Sequence, residues 1–199
     1  MSETSFSTKL QSWLTSKSPK TLGNLTKVFG EKSFAILVLV LMFFPALPLP
    51  TGGITHVFEV IVMLLALEMI AGRKTIWLPK WAKEKELGQT TQKKIVPFII
   101  RRIRWFERFS RRRSENVVRS ESFSRLAGLV FFVFALGAAL ALPFSGLDTL
   151  PALGAVVVAL SLILDDIALF FIGLLIGVGG IILEFALGAA TIEAIKHFF

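Results

Sequence analysis

The chain has 199 residues, of which 54% are hydrophobic, and a formal net charge of +8. A mean hydropathy of +0.70 exceeds what a soluble domain of this size can bury, so the composition predicts a membrane protein. There is no Cys, which excludes disulfides, thiol nucleophiles and Cys-ligated zinc or iron–sulfur centres.

The order of apolar and charged stretches predicts an all-α, polytopic membrane protein with two related hydrophobic hairpins and amphipathic interfacial helices. We expect one membrane domain with five regions. These are an amphipathic arm (1–32), a first hydrophobic hairpin (33–72), a basic segment (73–125), a second hydrophobic hairpin (126–166) and a C-terminal transmembrane helix (167–199).

The first hairpin contains a break rich in Pro and Gly, with Pro48 and Pro50 inside it. Pro removes amide donors and Gly permits strained turns, so regular helix must stop there. The apolar segment before the break reaches only about 22 Å, against a hydrocarbon core of about 30 Å. Both a re-entrant helix and a tight loop between two spans are consistent with this pattern.

The basic segment holds sixteen of the chain's 22 Lys and Arg residues. Within it, Ile95, Ile99 and Ile103 share one helical face while the arginines point elsewhere, which is typical of a helix lying in the membrane interface. The alternative is that this face packs on the protein itself. Because basic residues next to spans mark the cytoplasmic side, we expect the N-terminal arm and this segment on the cytoplasmic side of the membrane, and the side of the C-terminus stays open.

The second half repeats the pattern of the first: an apolar stretch, a break containing Pro143 and Pro151, and a second apolar stretch that ends in a carboxylate. This indicates a weak internal duplication. Interrupted hydrophobic segments at corresponding positions predict a buried polar site of the transporter kind, while two simple turns at the far membrane face are the alternative.

Ionisable side chains inside or beside apolar stretches are the candidates for such a site, because a carboxylate at membrane depth is costly unless paired, protonated or hydrated. His56 and Glu59 share a helix face and could relay a proton or bind a cation, although a polar helix start also explains His56. Neighbouring Asp side chains point about 100° apart and seldom share a ligand. The candidates are His56, Glu59, Asp165, Asp166 and Glu184.

Two further features concern packing and chemistry. Gly173 and Gly177 form a Gly-x-x-x-Gly step that predicts close helix packing, either within the chain or in a homo-oligomer. One His and scattered carboxylates are too few for a metal site, and no nucleophile elbow, phosphate loop or dinucleotide-binding turn is present. We therefore expect no catalytic residues, no metal and no cofactor.

A resemblance to the ExoD family of bacterial membrane proteins rests on several short elements of this sequence. They are Pro48-Leu49-Pro50 at the first break, Gly72-Arg73 with Trp77-Leu78-Pro79 after it, Arg125-Leu126 with Gly128, and then Pro143 and Pro151. The family typically has an Arg-Asp-Gly element where this chain has Leu164-Asp165-Asp166, which removes a cation and a glycine. The resemblance implies a bacterial inner-membrane protein needed for polysaccharide production or for coping with alkaline or ionic stress, with no agreed molecular activity.

Two hypotheses for function follow. The first is movement of ions or protons through a polar site between the broken hairpins. The second is a non-transporting scaffold whose basic segment binds anionic lipid head groups or a protein of the polysaccharide machinery. We expect no nucleic-acid partner, because the basic residues adjoin apolar spans and no reading module accompanies them.

Overall fold

The structure is a computed structural model that describes residues 5–48, 54–110, 115–141 and 146–198. For Ile54, Trp81, Ala82, Glu115 and residues 191–198 it describes the backbone alone. Pro50 and Pro143, two of the predicted break residues, lie outside the described residues.

The described residues form helices and no strand, which confirms the predicted all-α class. A single π-helical turn, Thr91–Ile95, leads into the sixth helix. The helices are α1 Phe6–Thr15, α2 Leu22–Phe29, α3 Lys32–Met42, α4 Ile54–Ile70, α5 Lys80–Glu84, α6 Val96–Glu107, α7 Glu115–Val118, α8 Glu121–Leu140, α9 Thr149–Leu164 and α10 Ile167–Phe198.

The core lies where α9 packs against α3, α8 and α10, and α4 packs chiefly against α8. Its largest wholly buried apolar side chains include Phe34, Met42, Phe131 and Phe134. The first helix of each half therefore packs on the second helix of the other half, α3 on α9 and α8 on α4.

Small residues bring α9 and α10 together. Gly154 lies against Gly177, and Gly173 lies against Val158, so closely that a methyl group at these glycines would collide with the facing backbone or side chain. A methyl group at Gly179 would meet nothing. The Gly173–Gly177 step is therefore used for packing within the chain.

Two helices are long and apolar enough to cross a membrane: Glu121–Leu140, with a mean hydropathy of 2.0, and Ile167–Ala190, with 2.5. Only 22% of the second is buried inside the protein, and it exposes large apolar side chains such as Leu175 and Phe185. A core helix of a soluble protein would be covered, so this exposed apolar face fits contact with lipid. Helices α3, α4 and α9 are shorter than a regular span.

The isoleucine face of α6 packs on the protein itself. This agrees with the second of the two interpretations given for this face, the first being a position in the membrane interface. Ile99 and Ile103 are buried, and the ring of Phe98 lies 5.5 Å from that of Phe43 at the end of α3. At the other end of α6, Glu107 accepts hydrogen bonds from Ser7 of α1. The helix thus packs against α1 and reaches the end of α3, and it leaves Trp105 and Phe109 exposed.

Candidate functional site

The structure places the five predicted polar residues in two groups at opposite ends of α9. His56, Glu59 and Glu184 lie towards its N-terminal end, while Asp165 and Asp166 follow its C-terminal end. Sixteen helical residues separate the ends by about 24 Å. We call these regions the His56 end and the Asp165 end.

Glu59 is a wholly buried carboxylate one turn into α4. Its Oε2 lies 2.7 Å from Nδ1 of His56, whose side chain is 40% exposed, because residues three apart share a helix face. The other oxygen, Oε1, has no hydrogen-bond partner among the described residues. Water can therefore reach the imidazole while the carboxylate behind it is shielded.

Asp148 is the further carboxylate that acts on this pair. It lies in the turn before α9, within electrostatic range of His56, Glu59 and Glu184. Burial raises the pKa of the Asp148 carboxyl above its usual range, and hydrogen bonds from its own and the next backbone N–H and the charge of His56 oppose that rise only in part. Glu184 Oε2 is buried and has no partner among the described residues. Glu59 and Asp148 thus share one imidazole, and Glu184 lies near Asp148.

At the Asp165 end, an ion-pair bridge joins three segments of the chain. Asp165 closes α9 in the left-handed conformation, with φ of 55°, and is 2% exposed. Its Oδ2 accepts a hydrogen bond from Lys32 Nζ at 2.8 Å and from Arg119 Nη2 at 3.1 Å, and Lys32 also donates to the carbonyl of Ile163. The N-terminus of α3 and the segment before α8 are therefore fastened to the end of α9.

Asp166 accepts hydrogen bonds from other groups than Asp165 does. One oxygen accepts the backbone N–H of Ala168 and so caps the start of α10, and the other accepts the hydroxyl of Ser110 at 2.9 Å. The two adjacent carboxylates hold separate groups and share no described partner. Neither of them joins Glu59 in a common site.

A cleft of about 620 Å³ opens beside Asp165. Lys9, Lys32 and Arg119 contribute positive charge to its wall, and Phe6 and Phe29 contribute apolar surface. A second space of about 330 Å³ lies on the other side of the Lys32–Asp165–Arg119 bridge. Among the described residues, no group of three or more His, Cys, Asp or Glu could hold a metal ion.

The residues of the ExoD-like elements are mostly structural in this fold. Gly72 closes α4 with φ of 76°, and the guanidinium of Arg125 lies against it. Gly128 allows α8 to contact the backbone of α4. Of the others, Pro151 is buried in the first turn of α9 and Pro79 precedes α5. Pro48, Arg73 and Trp77 are exposed.

Sequence reasoning missed Asp148, Lys32, Arg119 and Ser110. Asp148 had a usable signal, because an acidic residue before Thr149-Leu150-Pro151 marks a helix start next to an apolar segment. Arg119 had none, since it is one of many basic residues in its segment, and its partner Asp165 is 46 positions away.

Fold and site together define an all-helical protein with an exposed apolar surface and buried carboxylates at both ends of its bundle, which is the character of a membrane protein. The family described as "Exopolysaccharide synthesis, ExoD" matches residues 6–186, so the chain belongs to the ExoD family. An uncharacterized protein of Synechocystis sp., slr1875, is 28% identical over 178 residues, which cover 89% of this chain and 80% of that protein. No solved structure matches the chain.

Proposed function

We propose that this chain supports exopolysaccharide synthesis as a bacterial inner-membrane protein that moves protons or small cations through its His56 end. Family membership supplies the link to exopolysaccharide synthesis. The observation that carries the transport proposal is the contact between the wholly buried Glu59 and the half-exposed His56. The proposal assigns no catalytic residue, metal or cofactor.

The chemistry at this pair is proton exchange. Nδ1 of the half-exposed His56 lies 2.7 Å from Oε2 of Glu59, so a proton that reaches the imidazole can pass directly to the Glu59 carboxylate. The protonated carboxyl is neutral, which removes the cost of a buried charge. Asp148 and Glu184 add negative charge that attracts a proton or cation to this end.

Among the described residues of α4, no series of buried polar side chains leads from Glu59 towards the other end of the helix. The buried residues of α4 beyond it, including Val62, Ala66 and Met69, are apolar. Net transport therefore requires the hairpins to move relative to each other, as in alternating access.

Matching ends of the two hairpins support an internal duplication that would permit such movement. Gly72 and Asp165 both close a helix in the left-handed conformation. Lys32 of α3 meets the end of α9, and Arg125 of α8 meets the end of α4. Since α3 also packs on α9 and α8 on α4, each half contributes its first and its second helix to equivalent contacts with the other half. We place the N-terminal arm and the basic segment in the cytoplasm and expect a homo-oligomer.

Flux of protons and alkali cations in liposomes containing the purified protein tests the transport proposal. Glu59→Gln keeps the shape of the side chain but removes its proton-accepting charge, so we expect at least a tenfold loss of flux. Glu68→Gln is the matched control on the same helix, because Glu68 accepts a backbone hydrogen bond from Trp77 at the opposite end of α4. Equal flux through wild type, Glu59→Gln and empty liposomes would reject the proposal.

A scaffold that binds anionic lipids or a protein of the polysaccharide machinery is the second candidate. The observation in its favour is the outer surface of α6, where arginines surround two exposed aromatic rings. If cells keep their polysaccharide when Glu59 and Glu184 are both changed to Gln but lose it when Arg101, Arg104 and Arg108 are changed, the scaffold function is supported and transport is not.

A further inference from the structure

The cleft beside Asp165 has the size and composition of a ligand site. Its volume of about 620 Å³ lies within the roughly 300–1,000 Å³ of typical small-molecule pockets. It combines charged side chains with an apolar wall formed by Phe6, Val28, Phe29 and Leu164. A surface groove between solvated helices would lack such a wall.

The charges around the cleft leave positive charge in excess. The described lining holds three cations, Lys9, Lys32 and Arg119, against two carboxylates, Glu107 and Asp165, which leaves one positive charge in excess. Glu107 accepts the backbone N–H and the hydroxyl of Ser7 at 2.9 and 2.6 Å at the positive end of α1, which stabilises its carboxylate. The single carboxylate of Asp165 is shared by two cations, Lys32 and Arg119. Lys9 adds a third positive charge and forms no ion pair with a described residue.

The geometry points to a phosphate ester of net negative charge as the ligand of this cleft, and we propose that it binds there with its phosphate between Lys9, Lys32 and Arg119. The planar guanidinium of Arg119 matches two phosphate oxygens, and the two ammonium groups neutralise the remaining charge. The organic part of the ester lies along Phe6 and Phe29. Nζ of Lys32 is 5.8 Å from the ring centre of Phe6, so charged and apolar surfaces adjoin directly.

Lys32 and Arg119 can serve a ligand without unpacking the helices. Their side chains are 27% and 52% exposed, and space on both sides of the bridge gives them room to reorient. The same chemistry is offered by the head group of an anionic phospholipid and by a soluble phosphorylated sugar or polyol. The site and Glu59 lie towards opposite ends of α9, a helix about 24 Å long, so the site goes beyond the proposed proton site and does not depend on it.

The test uses the full chain in nanodiscs of phosphatidylcholine. One arm titrates glycerol 3-phosphate as the soluble ester by calorimetry. The other arm measures by native mass spectrometry how much more phosphatidylglycerol than phosphatidylcholine the protein retains. Binding in the first arm identifies a soluble ligand, and retention in the second arm alone identifies a lipid head group.

Variants decide whether the cleft is responsible. Lys9→Gln combined with Arg119→Gln removes two exposed cations from the wall while Lys32 continues to hold Asp165, so the fold is kept. We expect at least tenfold weaker binding or retention. The matched control, Lys27→Gln combined with Arg108→Gln, removes the same charge from exposed positions that do not line the cleft, and we expect less than a twofold change.

Val28→Trp fills the cleft without changing its charge and should also weaken binding at least tenfold, since Val28 is an exposed wall residue. The proposal is overturned if neither ester binds in preference to phosphatidylcholine. It is also overturned if the control pair weakens binding as much as the cleft pair, because binding would then reflect surface charge in general.

Discussion

Buried carboxylates at the two ends of α9 lie in opposite electrostatic settings. At the Asp165 end one carboxylate meets two cations, Lys32 and Arg119. At the His56 end Glu59 and Asp148 share one half-exposed imidazole, and Glu184 lies near Asp148. Cations around a carboxylate tie helices together, whereas neighbouring carboxylates repel one another. We therefore expect the Asp165 end to be structural and the His56 end to be the functional one.

The largest expected effect of an isosteric change is at Asp165. Asp165→Asn keeps the shape and tolerates the left-handed backbone, but removes the carboxylate charge that Lys32 and Arg119 both contact. We expect a loss of about 2 kcal/mol in the free energy of unfolding, as for hydrogen bonds between charged groups. Unfolding of the purified protein in detergent, followed by circular dichroism, measures it. A loss below about 0.5 kcal/mol would show that the bridge is only a surface ion pair.

The matched change at the other end, Glu59→Gln, should cost less than about 1 kcal/mol and can stabilise the fold. The charged partner of the buried carboxylate is His56, which is half-exposed, and a neutral amide lowers the cost of desolvation while retaining a hydrogen bond to His56. The same unfolding measurement applies. If Glu59→Gln costs as much as Asp165→Asn, the two ends do not differ in the way proposed, and Glu59 is a structural residue.

The smallest expected effect is a pH dependence at Asp148. Burial raises the pKa of this carboxyl in the folded protein, so its contribution to stability is fully present below the unfolded pKa of about 3.9 and is lost as pH rises through the raised value. Asp148→Asn should remove that loss. The difference in Tm between variant and wild type is therefore expected to grow from about pH 3 towards neutral pH and then level off. A constant difference over this range would show that Asp148 has an ordinary pKa in the fold.

Much of the fold was predictable because it depends on local patterns. Apolar stretches predicted the helices α8 and α10, and the basic segment predicted the amphipathic α6, since hydropathy and helical spacing act over a few turns. The contact between His56 and Glu59 was predictable for the same reason, because residues three apart share a face of any helix.

Partners far apart in the chain were beyond such reasoning. Lys32 and Asp165 are 133 positions apart, and nothing in either segment specifies the other. The Gly173–Gly177 step could equally have faced a second copy, and only the position of Gly154 on α9 directs it inward. Whether the isoleucine face of α6 meets lipid or protein likewise depends on where α1 and α3 lie.

The sequence by itself determined the helical class, the apolar character, the family and the set of ionisable residues that need explanation. The tertiary structure alone decided that this set divides between two ends, with Asp148 joining one and Lys32 and Arg119 the other. The physical reason is that local patterns specify which face of a helix is apolar, while the register and crossing of helices specify which charges meet.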